Sequence, residues 1–210
     1  QSTSRRGFNR GGGIMVTPGT YSVTLEKRIN GTHTTLQGPV NFEVVPLFEG
    51  ALPRKSNQVI NDFRKSVIAF QQDLTSTNIS LSKSLKTTNA MLRALNKASR
   101  PTKELFKKLN DTKIILLNID KELHGNSIKD EIGERSNPTA SDGGSLGWTA
   151  FGNTYGPTEE HMRLLNRVKS QLKKVKKQLS PIVNSTLPIL RNELIKTGAP
   201  WIEGQGLIKD

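Results

Sequence analysis

The sequence predicts a mainly helical α+β protein in which a long three-helix antiparallel coiled-coil bundle follows a short β segment. The first observation behind this prediction is composition, because 33% of the 210 residues are hydrophobic and 5% are aromatic. That is little for a compact globular core, but it suffices for long helices that each bury one apolar stripe. The second observation is a change of hydrophobic period, from alternation before residue 46 to a spacing of three and four after residue 57.

Residues 14–45 have the pattern of three short β-strands. An alternating run at 21–25 is followed by the hairpin signal Asn30-Gly31 and by two further runs at 32–36 and 40–45. A sandwich needs about seven strands, and a small isolated meander is marginal in water. We therefore interpret the segment as the C-terminal strands of an incomplete immunoglobulin-like domain. A meander that lies against the helices is the alternative.

Two polar segments flank these strands. Residues 1–13 contain four glycines and three arginines and are expected to form a flexible or extended arm. Residues 46–56 include Pro46 and Pro53 and are interpreted as the linker to the helices.

Residues 57–125 are predicted to form a helical hairpin. The first helix extends over about 57–97, the turn contains Arg100-Pro101 with Ser99 or Thr102 as the cap, and Gly125 ends the second helix. About 40 residues extend roughly 60 Å at about 1.5 Å per residue, which fits an antiparallel coiled coil. The first stripe consists of Ile60, Phe63, Val67, Phe70, Leu74, Thr77, Leu81, Ser84, Thr88, Met91 and Leu95. The second consists of Leu105, Leu109, Thr112, Leu116, Ile119 and Leu123.

The third predicted helix covers residues 158–198 and begins at a cap formed by Thr158. Its stripe consists of Leu165, Val168, Leu172, Val175, Leu179, Ile182, Leu187, Leu190 and Leu194. Pro181 and Pro188 fall inside this pattern and are expected to kink or interrupt the helix. An extended tail follows at 199–210.

Residues 126–157 are expected to form an ordered loop between the second and third helices. The segment has no hydrophobic period, yet it holds three of the eleven aromatic residues of the chain, and a disordered linker is aromatic-poor. The aromatic residues expected to lock this loop and the tail onto the bundle are Trp148, Phe151, Tyr155 and Trp201.

The chain is strongly basic, with a net charge of +13 from 31 Lys+Arg and 18 Asp+Glu. Residues 161–180 contain no acidic residue, a pattern that favours polyanions, although a solvated helix face has the same pattern. Nucleic acid is the less favoured ligand, because this stretch lacks the aromatic residues on which bases stack. The candidate contacts to a polyanion are Arg163, Arg167, Lys173, Lys174, Lys176 and Lys177.

No catalytic residue, metal site or cofactor is predicted. The chain has no cysteine, its three histidines lack ligand spacing, and no glycine-rich phosphate loop is present. Glu159 and Glu160 are explained by the start of a helix, and Asp120 with His124 by an exposed ion pair. The sequence contains no run of 18 apolar residues, so no membrane span is predicted.

Five segments together resemble the region after the propeller in large bacterial sortilin-like proteins, many of which are labelled glycosyl hydrolases for their neuraminidase-type repeats. The segments read VTPGTYSVTL at 16–25, GPVNFEVVPL at 38–47, GNTYGPT at 152–158, LPIL at 187–190 and GAPW at 198–201. The resemblance implies the C-terminal part of a larger exported protein of the periplasm, outer-membrane surface or extracellular space, with the propeller upstream. The third helix is more basic than that family implies.

We therefore expect a non-catalytic structural and interaction module. Its β segment docks by strand pairing on a propeller-bearing partner, either the upstream part of one precursor or a separate chain, and its basic bundle projects toward an anionic envelope polymer. A free-standing protein that binds nucleic acid or an acidic glycan is the alternative. The residues expected at the docking face are Tyr21, Val23, Leu25, Phe42 and Val44.

Overall fold

The computed structural model describes residues 16–46, 53–134, 138–152 and 155–205. The structure is mainly helical, with one small two-stranded antiparallel sheet in the described residues. The predicted arm at 1–13, most of the linker and the last five residues of the tail lie outside the described residues.

The sheet is a β-ribbon of two long strands, β1 (Gly19–Ile29) and β2 (Thr32–Val44). Asn30 and Gly31 join them with φ of 49° and 84°, as a tight primed turn requires. The prediction of three short strands was wrong, since Gly38-Pro39 lies within β2 and does not end it. Two irregularities, on either side of Leu25, absorb the extra residues of β2, and a proline is tolerated because β2 is an edge strand.

Two long helices follow the ribbon: α1 (Asn57–Leu95) and α2 (Lys103–His124). The hydroxyl of Ser56 caps α1 by accepting a bond from the Val59 amide, and Thr102 caps α2 by accepting one from the Leu105 amide. Gly125 ends α2 with a φ of 94°. Every residue predicted for the stripes of these two helices is buried, which confirms the period of three and four.

The segment between α2 and the third long helix contains short helices in its described parts. These are α3 (Ser127–Glu131), a 3₁₀ helix (Ala140–Ser145) and α4 (Leu146–Gly152). The 3₁₀ helix and α4 pack against α1 and against the third long helix. The segment therefore has more regular structure than the loop expected from its composition.

The C-terminal helical region consists of α5 (Glu159–Pro181), a π turn (Ile182–Thr186) and α6 (Leu187–Lys196). Thr158 and His161 form a reciprocal cap at the start of α5. In the π turn the Leu187 amide donates to the Ile182 carbonyl. The interruption that the two prolines predicted is thereby confirmed.

The core lies between α1, α2, α5 and α6, with Ile202 of the tail packed at one end. The stripe of α1 is polar near its middle, where Thr77, Ser84 and Thr88 are buried. Each of these hydroxyls donates to the carbonyl four residues earlier, at distances of 2.7 to 2.8 Å, so no hydroxyl of the three is left unpaired in the core. No helix of the described residues is both long and apolar enough to cross a membrane.

Candidate functional site

The inner half of the β-ribbon presents one apolar face. Tyr21 pairs with Phe42 and Val23 pairs with Val40 across the two strands, and residues two apart on a strand share a face. The rings of Tyr21 and Phe42 are stacked, with centroids 6.0 Å apart and planes at 27°. Val44 continues the same face beyond Phe42. We call Tyr21, Val23, Val40, Phe42 and Val44 the ribbon face.

The ribbon face is largely uncovered. Val23 is 56% exposed, Val40 53% and Phe42 48%, whereas Tyr21 and Val44 are half-buried. Leu25, also predicted for docking, is 59% exposed but lies between the two strand irregularities, paired with Gln37. This exposure argues against a meander that lies against the helices.

Polar contacts hold the base of the ribbon to the start of α1. The Tyr21 hydroxyl donates to the Thr17 carbonyl at 2.7 Å, and Thr17 is buried. From α1, the Asn57 amide donates to the Pro18 carbonyl at 2.9 Å and the Asn61 amide donates to the Thr17 hydroxyl at 3.4 Å.

The outer half of the ribbon is charged and polar. Beyond the irregularities, Glu26, Lys27 and Arg28 pair with Thr35, Thr34 and His33, and His33 Nδ1 lies 3.3 Å from Glu26 Oε2. The ribbon face therefore lies in the half of the ribbon nearest α1, while the mainly polar outer half adds two further exposed apolar side chains, Ile29 and Leu36. Sequence reasoning left Val40 out of the docking residues, although its spacing from Phe42 places it on the same face.

The aromatic residues expected to lock the loop and tail do so only in part. Trp148 is 85% exposed and Trp201 55% exposed, so the prediction for Trp148 was wrong. Phe151 packs against the core while partly buried, and the carbonyl of half-buried Tyr155 accepts a bond from the Lys55 amide at 2.9 Å. The packing that aromatic content predicted is supplied by small and aliphatic residues: Ala140, Leu146, Ala150 and Ile202.

Arg64 fixes α4 to α1, a role that sequence reasoning missed. Arg64 is 5% exposed, and its Nε donates to the Ala150 carbonyl at 3.0 Å. Burial lowers the pKa of Arg64 from its ordinary value, and repulsion from Arg54 lowers it further. The signal was present in the spacing, because position 64 is four residues after Ile60 and three before Val67.

The six basic residues predicted to contact a polyanion do not form one patch. Arg163 pairs with Glu159 at 3.2 Å and lies 3.8 Å from Glu160, while Arg167 is exposed on α5. Lys174 lines a cavity of about 440 Å³ on the α2 side together with Lys121 and Lys129. The remaining three, Lys173, Lys176 and Lys177, line cavities on the α1 side.

The predicted ion pair between Asp120 and His124 is present, with Nδ1 of the ring 2.9 Å from Asp120 Oδ1. The other ring nitrogen lies 2.9 Å from Oδ1 of Asn78 on α1. The His124 ring thus joins Asp120 of its own helix to Asn78 of α1. Among the described residues, no group of three His, Cys, Asp or Glu side chains is placed to hold a metal ion.

Comparison with known proteins returned no match among protein-family models, curated proteins or solved structures. The resemblance to sortilin-like proteins therefore stays a prediction that depends on the sequence segments that carry it. The features of the molecule that bear on function are the exposed ribbon face and the charged surface of the helices.

Proposed function

We propose that this chain is a non-catalytic interaction module that docks onto a β-rich partner through its ribbon and projects a basic three-helix coiled-coil bundle. The observation that carries this proposal is the apolar ribbon face, exposed by about half at Val23, Val40 and Phe42. The partner is the propeller-bearing part of a larger exported, cell-surface sortilin-like protein, either upstream in the same precursor or in a separate chain. The ribbon supplies the closing strands of an immunoglobulin-like domain.

A two-stranded ribbon is marginal in water without further strands. Burying a Val, Leu or Phe side chain fully contributes about 1.5–3 kcal/mol. Because Val23, Val40 and Phe42 expose only about half of their surface, covering them would contribute roughly half of that for each side chain, or about 2–4.5 kcal/mol together. A partner surface over the ribbon face would stabilise both the complex and the ribbon.

The strand edges of the ribbon support docking by strand pairing. In a two-stranded sheet each strand has one edge that pairs with no described strand, and such an edge offers backbone N–H and C=O groups to another chain. Strand addition uses these groups for affinity and the side-chain pockets for specificity. The charged outer half of the ribbon would set the register.

The long helices support the second part of the proposal, a bundle that projects from the docked ribbon. The buried stripes of α1, α2 and α5 recur at intervals of three and four residues, as in an antiparallel coiled coil. The ribbon is attached at the start of α1, and the 39 residues of α1 extend about 58 Å at about 1.5 Å per residue. Docking at the ribbon would therefore leave the far end of α1 well away from the partner.

The test is a photo-crosslinking comparison in the cells that produce the protein. A photoreactive side chain replaces Val23 on the ribbon face or, as the control, Ser22, whose pair is Asn41 on the opposite face. We expect one defined crosslink from position 23, in a peptide of a β-rich protein, and none from position 22. Two double variants make the same comparison by charge. The variant with Val23→Lys and Phe42→Lys should no longer co-purify with the partner. The variant with Ser22→Lys and Asn41→Lys should still do so. The proposal fails if position 23 yields no defined crosslink or if both charge variants retain the complex.

A further inference from the structure

A groove between α1 and α5 is lined by lysines with little compensating negative charge. It comprises two cavities of about 290 and 430 Å³ that share Lys176. We define the α1–α5 groove by its cationic side chains, which are Lys169, Lys173, Lys176 and Lys177.

The positive charge of this groove is largely unpaired. Within the described residues no carboxylate lies within 4.0 Å of Lys169, Lys173 or Lys177, and Lys176 pairs with Asp73 of α1 at 2.9 Å. Four lysines and one aspartate leave a formal charge of about +3 along about 12 Å of helix, the rise of eight residues.

The arrangement on α5 is unfavourable in the absence of an anion. Lys169 with Lys173, and Lys173 with Lys177, are like-charge pairs four residues apart, a spacing at which repulsion destabilises a helix. An anionic ligand along the groove would offset this repulsion. If α5 only faced solvent here, nothing would require these lysines to lie on the same side of the helix.

The side chains around the lysines indicate which polyanion fits. The groove is also lined by Ser76, Ser80, Ser180 and Asn184, whose hydroxyl and amide groups can bond to sugar hydroxyls. The aromatic residue among the described lining residues is Phe70, which is 2% exposed and offers no surface for base stacking. Lysine is a flexible point charge that tolerates irregularly spaced anionic groups.

We propose that the α1–α5 groove binds an acidic polysaccharide. The cavity on the α2 side is a weaker candidate, because Glu122 also lines it and Lys129 is paired with Glu134 at 3.1 Å. The proposal uses no residue of the ribbon, so its outcome is independent of docking.

The test compares two triple variants of the full chain that have the same net charge. The groove variant carries Lys169→Gln, Lys173→Gln and Lys177→Gln. The control variant carries Lys97→Gln, Lys103→Gln and Lys107→Gln, which are exposed lysines outside the groove. Binding of heparin and of polygalacturonate is measured by titration calorimetry at low and moderate salt, after circular dichroism has shown that both variants are folded.

We expect the control variant to bind each polymer with the same affinity as the wild type. The groove variant should bind about tenfold more weakly, because three exposed charge contacts to the polymer are lost, and its affinity should depend less on salt. If both variants bind the polymers equally weakly, the effect is one of net charge and the proposed site is wrong. The proposed site is also wrong if the wild type binds neither polymer at low salt. Tighter binding of single-stranded or duplex DNA at the same salt concentration would overturn the ligand class.

Discussion

Replacing Gly143 by alanine should reveal how closely the 3₁₀ helix packs on the long helices. Gly143 is buried, and a Cβ at this position would overlap the ring of Phe70 and lie 2.9 Å from Val168 Cγ2. Carbon atoms in contact prefer about 3.5–4.0 Å, so the ring would have to move by roughly 1 Å. Phe70 is 2% exposed and Val168 0%, so both side chains are packed within the core where the new Cβ would enter.

The expected cost follows from these contacts. Overpacking a filled core lowers the free energy of unfolding by about 1–3 kcal/mol. A compatible glycine-to-alanine change raises it by about 0.4–1 kcal/mol, because alanine restricts the backbone of the unfolded chain. Gly144 is the matched control, because it is exposed and a Cβ there meets nothing within 4 Å. The difference between Gly143→Ala and Gly144→Ala therefore isolates the strain.

The measurement is thermal unfolding of the two variants, followed by circular dichroism. For a chain of this size about 1 kcal/mol shifts Tm by about 2–4 °C, so Gly143→Ala should melt about 2–12 °C below Gly144→Ala. Adding Phe70→Leu should cost less in the Gly143→Ala background than in the wild type, since the smaller side chain relieves the overlap. Equal melting temperatures for the two alanine variants would refute the packing argument.

Three further predictions concern stability. Trp148→Ala should change the free energy of unfolding by less than about 0.5 kcal/mol. Leu146→Ala should lower it by about 2–5 kcal/mol, because Leu146 is 1% exposed. Urea titration of both variants measures the difference. Arg64→Met should cost about 1.5–3 kcal/mol by the same measurement, since the carbonyl that Arg64 contacts loses a charged donor. The hydrogen bonds that Lys108 donates to Glu104 and then to Glu193 raise its pKa. The stability that these contacts contribute is complete below the ordinary lysine pKa of about 10.4 and is lost as pH rises through the raised value. The urea midpoint of Glu193→Gln should accordingly fall less than that of the wild type between about pH 9 and about pH 12.

The helices could be predicted from the sequence because burial imposes a period that is visible in the residue types. Thr77, Ser84 and Thr88 fitted that period despite their polarity, and each is buried with its hydroxyl bonded to the helix backbone. Arg64 followed the same period, but its charge led sequence reasoning to overlook it.

Other features could not be predicted, because they depend on contacts between distant segments. Nothing local to Gly38-Pro39 shows that a strand continues through it, since continuation requires the irregularities in its pairing with β1. Trp148 illustrates the same limit, because aromatic content does not tell which face of a short helix will be covered. The basic residues of α5 were read as one set, although their angular positions direct Lys174 toward α2 and Lys173 toward α1.

The π turn at Ile182–Thr186 corrects the phase of the apolar stripe on the C-terminal helical region. Ile182 follows Leu179 by three residues and Leu187 follows Ile182 by five, after which the intervals of three and four resume at Leu190 and Leu194; all five side chains are buried. An uninterrupted α-helix would rotate Leu187 by about 100° away from the core. The π turn holds one residue more than an α-helical turn, so the apolar residues before and after it face the core together. Replacing Pro181 and Pro188 would therefore leave the turn in place.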